Sequence, residues 1–350
     1  MAVRAKAVWA GMVFWLEAFL LQLAARQTPG FGQWYAVTVY PVLVKTMGRL
    51  FGLFPFSVSE IGLYLLLLGG VIYGLTHFRR PLMILKKVFL VSGVIAFLYT
   101  ACCGVNYYRL PFSAYLNLEI RESTVEELKN LCVLLKEKTE ETAQKLLEEG
   151  SFWPDEDEIR NFPQTARGAM QALGEEYPAL SGFYPQPKPV AFSWILSVQS
   201  LAGVYSPFTI EANYNRQMVS YNIPHTACHE LSHLRGFMRE DEANFIAFLG
   251  CIGSDSLYFQ YSGYLSAYIY AHNALYAREP EQALELYYSL PKEVLSDLRE
   301  NNQFWQQFEG RIAQVSSQVN DTYLKANSQE EGIESYGRMV DLLLAYYRNS

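Results

Sequence analysis

The sequence predicts a mainly helical protein in two parts. Three amino-terminal transmembrane helices come first, followed by a mostly helical α+β domain with a small β-hairpin. Three observations carry this expectation. Charge is divided: residues 1–110 hold ten Lys/Arg against two acids, a net of +8, whereas residues 111–350 hold 18 against 33, a net of −15. The first 110 residues contain three apolar runs, each close to the ~20 residues that a helix needs to cross hydrocarbon. Beyond them, apolar residues recur at helical spacing between Gly and Pro breaks. The whole chain is 51% hydrophobic and only 18% charged, which excludes a disordered chain and argues against nucleic acid as a partner. Five cysteines in 350 residues are too few for a disulfide scaffold.

The spans are expected at about residues 7–25, 58–77 and 88–106. The first is longer than the apolar region of a secretory signal, so it reads as an uncleaved anchor. Glu17 is its one charge and is expected to face a neighbouring helix, while Glu60 opens the second span at an interfacial position. Residues 31–56 are partly apolar and suit an amphipathic interfacial element. Arg4 and Lys6 precede the first span, and Arg79, Arg80, Lys86 and Lys87 lie between the second and third. The positive-inside rule makes both places cytoplasmic. Three spans then put residues 111–350 outside the cytoplasm, on a chain whose first partner is the lipid bilayer.

In the second part, Ser123 and Glu126 have capping-box spacing and open a helix over residues 125–149. A second helix is expected over 157–173 and a Pro-rich loop over 181–189. A buried helix is expected within 192–204. Residues 208–214 and 217–221 are β-rich and separated by Asn215-Arg216, which reads as a hairpin. From 240 to 345 the pattern is helical, with breaks near Asp255, Pro280, Pro291 and Gly332.

The chemistry is concentrated in His225-Thr-Ala-Cys-His229-Glu230-Leu-Ser-His233, which contains H-E-x-x-H. On a helix, residues four apart share a face, so His229 and His233 can offer two imidazole nitrogens to one metal ion. Zn2+ held this way acidifies a water and polarises a carbonyl, and Glu230 is placed to act as general base. A catalytic zinc takes three protein ligands. The metzincin pattern would put a third histidine at position 239, which is Arg239, so that sub-class is excluded. Gly236 ends the first helix, and a second helix beginning near residue 240 carries Glu240, Asp241 and Glu242. Glu242 is the first choice for third ligand and Glu240 the runner-up. A helix N-terminus attracts acids in any case, through its dipole. Tyr261, Tyr264, Tyr268 and His272 lie on the next helix and could supply a hydrogen-bond donor to a substrate carbonyl, but their spacing singles out none of them. His225 follows Pro224, where the helix is only beginning, and Cys228 is off the histidine face.

His-Glu-Leu-Ser-His followed by Glu240-Asp-Glu-Ala-Asn244-Phe-Ile-Ala resembles the gluzincin-type arrangement of several bacterial metallopeptidase families, such as the group related to phage-repressor-cleaving antirepressors. That resemblance implies Glu242 as ligand, with Asn244 supporting the site. Nearly the whole chain is similar to a bacterial family of uncharacterised membrane proteins, domain of unknown function 3810. The similarity rests on the three spans, Ser206-Pro-Phe-Thr-Ile-Glu-Ala-Asn213, Thr226–His233, Asp241–Phe245, Tyr261-Ser-Gly-Tyr264, Lys325-Ala-Asn327 and Ser335–Asp341. It implies a zincin-like fold and a multi-pass protein of the bacterial cell membrane. The expected function is therefore a membrane-anchored, zinc-dependent metallopeptidase acting on a peptide or protein substrate. The other reading is a catalytically silent zinc-binding module for sensing or assembly.

Overall fold

The computed structural model of the chain describes residues 2–327 and 338–349. Two compact units are present. The first comprises Met1–Leu110 with Ser206–Glu211, and the second is the remainder.

In the first unit, α1 (Ala2–Gln27), α2 (Val58–His77) and α3 (Pro81–Cys102) are, among the described residues, the three helices long and apolar enough to cross a membrane. The 20 residues of α2 rise about 30 Å, which matches a hydrocarbon core. No residue of α2 is buried; Leu63, Leu67, Val71 and Leu75 are among those exposed, as suits a lipid-facing surface. α1 packs on α3 through small residues. Gly11 lies against Phe89 and Leu90, and Gly93 against the Gly11 carbonyl and Trp15, so any side chain at either position would hold the helices apart. Glu17 does not face a neighbouring helix; it lies on the exposed side of α1. α3 begins seven residues before the expected start of the third span, because Pro81 at its first turn is pre-set for a helix. Lys86 and Lys87 therefore lie within the helix, while Arg79 and Arg80 precede it.

Residues 31–52 form a nearly continuous helical segment, Phe31–Thr38, Tyr40–Leu43, the π-helical Val44–Gly48 and Arg49–Gly52, joined by residues in right-handed helical conformation. Their Tyr35, Tyr40 and Val44 are buried, and the Tyr35 hydroxyl donates to the Ala101 carbonyl at 3.0 Å. The amino end of α2 is satisfied twice. Ser57 Oγ accepts from Glu60 N at 3.2 Å, and the Glu211 carboxylate accepts from Val58 N at 3.1 Å and Ser59 N at 2.8 Å. These groups complete donors that a helix N-terminus leaves open.

The second unit contains α4 (Val125–Glu148), α5 (Glu156–Glu176), α6 (Asn222–Leu234), α7 (Glu240–Ile252), α8 (Leu257–Tyr276), α9 (Pro280–Tyr288), α10 (Lys292–Gln306), α11 (Arg311–Ala326) and α12 (Met339–Asn349). The capping box of α4 uses Thr124 and Glu127, one residue later than Ser123 and Glu126. Glu127 N donates to Thr124 Oγ1 at 3.1 Å, and Thr124 N donates to Glu127 Oε2 at 2.9 Å. Both registers fit the pattern; in the one adopted, Glu127 also pairs with Arg121 at 2.7 Å and Arg348 at 2.9 Å. Asp155 caps α5 by accepting from Asp157 N and Glu158 N. α6 lies among α5, α7 and α8 and is buried along nearly its whole length, so it forms the centre of this unit.

A three-stranded sheet, in the order β1-β3-β2, consists of β1 (Lys188–Pro189), β2 (Gly203–Ser206) and β3 (Glu211–Tyr214). β1 is parallel to β3, with Lys188 opposite Asn213 and Pro189 opposite Tyr214. The connection over residues 207–210 is too short for a parallel crossover, so β2 and β3 form a hairpin with β2 at the edge. This corrects the expected placement. Residues 192–204 hold only the short helix Trp194–Ser197 before β2 begins, and 217–221 is not a strand. The Asn215 side chain explains the second point. It accepts from Gln217 N at 3.0 Å and donates to Ser197 Oγ at 2.9 Å, turning the chain out of the sheet towards α6. The later helices break near residues 255, 280 and 291, and also at 307–310 before α11. Gly332 and the stretch Ser335-Tyr-Gly337 lie outside the described residues.

Candidate metal centre

α6 carries His229 and His233 one turn apart, with their ring centroids separated by 4.6 Å. Each ring is held at Nδ1: that of His229 lies 2.8 Å from Asn244 Oδ1, and that of His233 lies 2.8 Å from the Phe237 carbonyl. Both partners are acceptors, so Nδ1 is the donor in each ring, and the Nε2 atoms are the ones that would bind a metal, which would displace any proton from them. Gly236 adopts φ +88, a left-handed conformation that ends α6 and folds the chain back into α7. α7 starts with Glu240, whose Oε2 lies 3.1 Å from His229 Nε2 and 3.7 Å from His233 Nε2. One donor atom from each of these three residues lies within 4.8 Å of the others. Metal–ligand bonds of ~2.1 Å in tetrahedral geometry put donor atoms about 3.4 Å apart. The spacing and the His/His/carboxylate donor set therefore fit a zinc-type ion.

Glu242, the first choice from sequence, is not at this cluster. Its Oε1 accepts from Phe112 N at 3.0 Å and lies 3.6 Å from Arg239. The reason is helical geometry. Positions two apart point to opposite sides, whereas positions four apart share a face. Asn244 reaches His229, so its face companion is Glu240, and Glu242 must point elsewhere.

The same cluster sets the local ionisation. Burial alone would lower the His233 pKa, but the Glu240 carboxylate outweighs it by charge and hydrogen bond, raising the imidazole to about 9. Burial likewise opposes ionisation of Glu240, and the two imidazoles override it, holding the carboxyl well below its ordinary range.

Glu230 is buried next to His229, and its Oε2 has no hydrogen-bond partner among the described residues. Burial raises its pKa to about 7, despite the opposing pull of His229 and His233. The carboxylate lies along β2, where the Tyr205 backbone amide donates to it. Gly203 makes this approach possible, since a Cβ there would stand 2.5 Å from Glu230 Oε1 and 2.9 Å from the Asn213 carbonyl.

His229 and Glu230 open onto a cavity of about 520 Å³. Its walls come from residues 199–203 before and at the start of β2, and from α6, α7, α8, α10 and α11. His225 lines it but is not part of the three-residue cluster; burial lowers its pKa to about 3, so the ring is neutral, and its Nε2 has no partner among the described residues. Tyr270 also lines it, and sequence reasoning missed this residue. Burial and the nearby Glu240 charge raise the Tyr270 pKa, and the Asn244 side chain reaches its hydroxyl. The available signal was the four-residue spacing of Ser262, Ser266 and Tyr270. Ser262 Oγ accepts from His225 N, and Ser266 lines the same cavity, so this stripe of α8 faces α6.

The other aromatic candidates lie elsewhere. Tyr264 packs on Phe248, and His272 Nε2 lies 3.0 Å from the Ala283 carbonyl. Tyr268 packs towards His272, and Tyr261 donates to Asp297 at 2.9 Å. Cys228 and Cys251 are buried free thiols, and burial pushes Cys251 well above its ordinary value.

No curated protein and no solved structure matches the chain. The family model described as "Protein of unknown function (DUF3810)" does match, over residues 35–344. Within that span fall the second and third apolar helices, the H-E-x-x-H helix and the α7 turn that brings Glu240 to it, and the chain belongs to this family of unknown function.

Proposed function

We propose that this protein is a membrane-anchored, zinc-dependent metallopeptidase. The observation that supports it best is the convergence of His229, His233 and Glu240 on one point, with the buried Glu230 carboxylate next to them. When bound, the ion would polarise the scissile carbonyl and acidify a water. The chain's own residues have separable tasks. His229, His233 and Glu240 would hold the ion, with Asn244 and the Phe237 carbonyl fixing the rings. Glu230 would accept a proton at Oε2 and pass it to the leaving amine, a task for which a pKa near neutrality is suited. Tyr270, which stays protonated at neutral pH, lines the same cavity and would offer a hydroxyl donor there. β2 is an edge strand along which an extended peptide could lie by strand addition.

The substrate would be a peptide or protein, and the bilayer the second partner. By the positive-inside rule, the basic residues around the first span and before the third put the amino terminus in the cytoplasm and the catalytic unit outside it. The test uses full-length protein in detergent. It should bind about one zinc and cleave members of a broad peptide library, and Glu230→Ala should keep the metal and lose cleavage. Protein without zinc after metal-buffered purification would refute the site. Zinc without any cleavage would favour the silent sensory or assembly module.

A further inference from the structure

Within the first unit, α2 and α3 are joined by residues 78–80 alone, so they run antiparallel as a helical hairpin. They pack loosely, since no residue of α2 is buried. Between them lies a groove of about 540 Å³. Gly69 and Gly70 form part of its α2 wall, and a Cβ at either would meet no atom within 4 Å. Its α3 wall is the stripe Ile84, Lys87, Val91 and Ile95, spaced three or four residues apart. That stripe is distinct from the one at Phe89 and Gly93, which packs on α1. The groove changes character along its length. Tyr73, Ile84 and Lys87 lie at the end near the connecting turn, and Leu65 and Ile95 lie at the other. From Tyr73 to Leu65, and from Lys87 to Ile95, is eight residues, or about 12 Å of helix. Lys87 is the only charged residue in this wall among the described residues. Ser92 is a hydroxyl deeper in, and it donates back to the Phe89 carbonyl at 3.0 Å, so it is satisfied within α3. The turn end of the hairpin, with Arg79, Arg80, Lys86 and Lys87, carries no acid, since none occurs between Glu60 and Glu119.

We propose that this groove binds an anionic phospholipid, with an acyl chain between α2 and α3 and the phosphate held at the turn end by Lys87. The groove matches such a lipid in its polarity and its sign of charge. Leu65, Gly69, Val91 and Ile95 offer an acyl chain an apolar bed. A lysine inside an apolar stretch must reach the interface or meet an anion. A phosphate at this point supplies the anion through a charge-assisted hydrogen bond. Basic pockets between membrane helices bind lipid headgroups in this way. A second copy of the chain is the competing occupant, because Gly70 and Gly74 have the four-residue spacing through which membrane helices approach each other. Charge opposes it. Copies inserted in the same direction would bring their own Arg79, Arg80, Lys86 and Lys87 to the same depth, and like charges there repel. The lipid site stands whether or not the metal centre hydrolyses peptides.

The test is native mass spectrometry of full-length protein in a nonionic detergent, titrated with phosphatidylglycerol or with phosphatidylcholine of the same acyl chains. One saturable phosphatidylglycerol site is expected, at least about fivefold tighter than phosphatidylcholine, which is the gain that one basic residue near an anionic headgroup supplies. Lys87→Gln should remove that preference, and Lys87→Arg should keep it. Lys86→Gln removes the same charge one residue away, off the groove wall, and should leave the preference intact. Gly70→Leu places a side chain in the open groove and should abolish the saturable site for both lipids. Equal affinity for the two lipids would overturn the proposal. So would an equal loss in Lys86→Gln and Lys87→Gln, which would mark diffuse attraction to the basic end of the hairpin. A wild-type dimer that Gly70→Leu dissociates would also overturn it, by giving the groove to a second copy.

Discussion

Replacing Glu240 by glutamine should weaken zinc binding far more than replacing Glu242 by alanine. Structural zinc sites with four ligands contribute roughly 10–16 kcal/mol, or about 3 kcal/mol per ligand. At about 1.4 kcal/mol per decade, the loss of one ligand corresponds to a weakening of roughly 10²–10³-fold. Glu240→Gln replaces the carboxylate oxygen that stands 3.1 and 3.7 Å from the two Nε2 atoms. Glu242→Ala removes a different contact, the acceptor for Phe112 N at 3.0 Å. A buried donor left unpaired costs roughly 1–3 kcal/mol, which in a unit of this size lowers Tm by roughly 3–10 °C. Chelator competition would give the zinc affinities of both full-length variants, and a thermal melt would give their stabilities. The expected result is a crossed pattern: Glu240→Gln folded but weak in zinc, and Glu242→Ala less stable but within about threefold of wild-type affinity. If Glu242→Ala loses zinc a hundredfold while Glu240→Gln keeps it, the shared-face argument for Glu240 and Asn244 is wrong.

Three further outcomes are expected. Asn244→Leu should lower zinc affinity by about 10–100-fold, as the loss of a ligand's orienting partner does, without removing any ligand; unchanged affinity would deny Asn244 its orienting role. Gly203→Ala should lower Tm and any zinc-dependent hydrolysis together, because its Cβ would stand 2.5 Å from Glu230 Oε1 with the Asn213 carbonyl on the other side; a wild-type Tm and rate would show that β2 can move away. Glu127 provides the pH dependence. The Thr124 amide first, then Arg348 and Arg121, lower its pKa from 4.5 to about 2. A carboxyl depressed in the folded state adds stability that is fully present above its unfolded pKa and is lost as pH falls through the folded value. The Tm difference between wild type and Glu127→Gln should therefore be present at pH 6, shrink below about pH 4.5 and vanish near pH 2; a gap constant across this range would remove the charge from the explanation.

Much of this arrangement was legible in local signals. Apolar length located all three long helices of the first unit, and H-E-x-x-H with Gly236 gave a helix, its end and the helix that follows. Errors arose where two local readings were equally good. Ser123/Glu126 and Thr124/Glu127 have the same spacing, and only Arg121 and the distant Arg348 favour the second. Asn215-Arg216 is a genuine turn, but whether it leads to a strand or to α6 depends on the Asn215 side chain donating to Ser197 Oγ and accepting from Gln217 N. The Tyr-rich helix α8 has aromatic residues on several faces, so its cavity-facing member, Tyr270, could be identified only by pairing it with Ser262 and Ser266.

The sequence by itself determined the two bodies of this protein, the helix that presents two imidazoles, and the acid beside them. These follow from hydrophobic length, charge and the 3.6-residue period, all properties of contiguous chain. Only the tertiary structure decided which acid completes the cluster and what chemistry surrounds it. Glu240 and Glu242 are equivalent as letters at a helix start. They differ because α7 docks on α6 in one orientation, fixed by Asn244 against His229, which turns one carboxylate to the histidines and the other to Phe112.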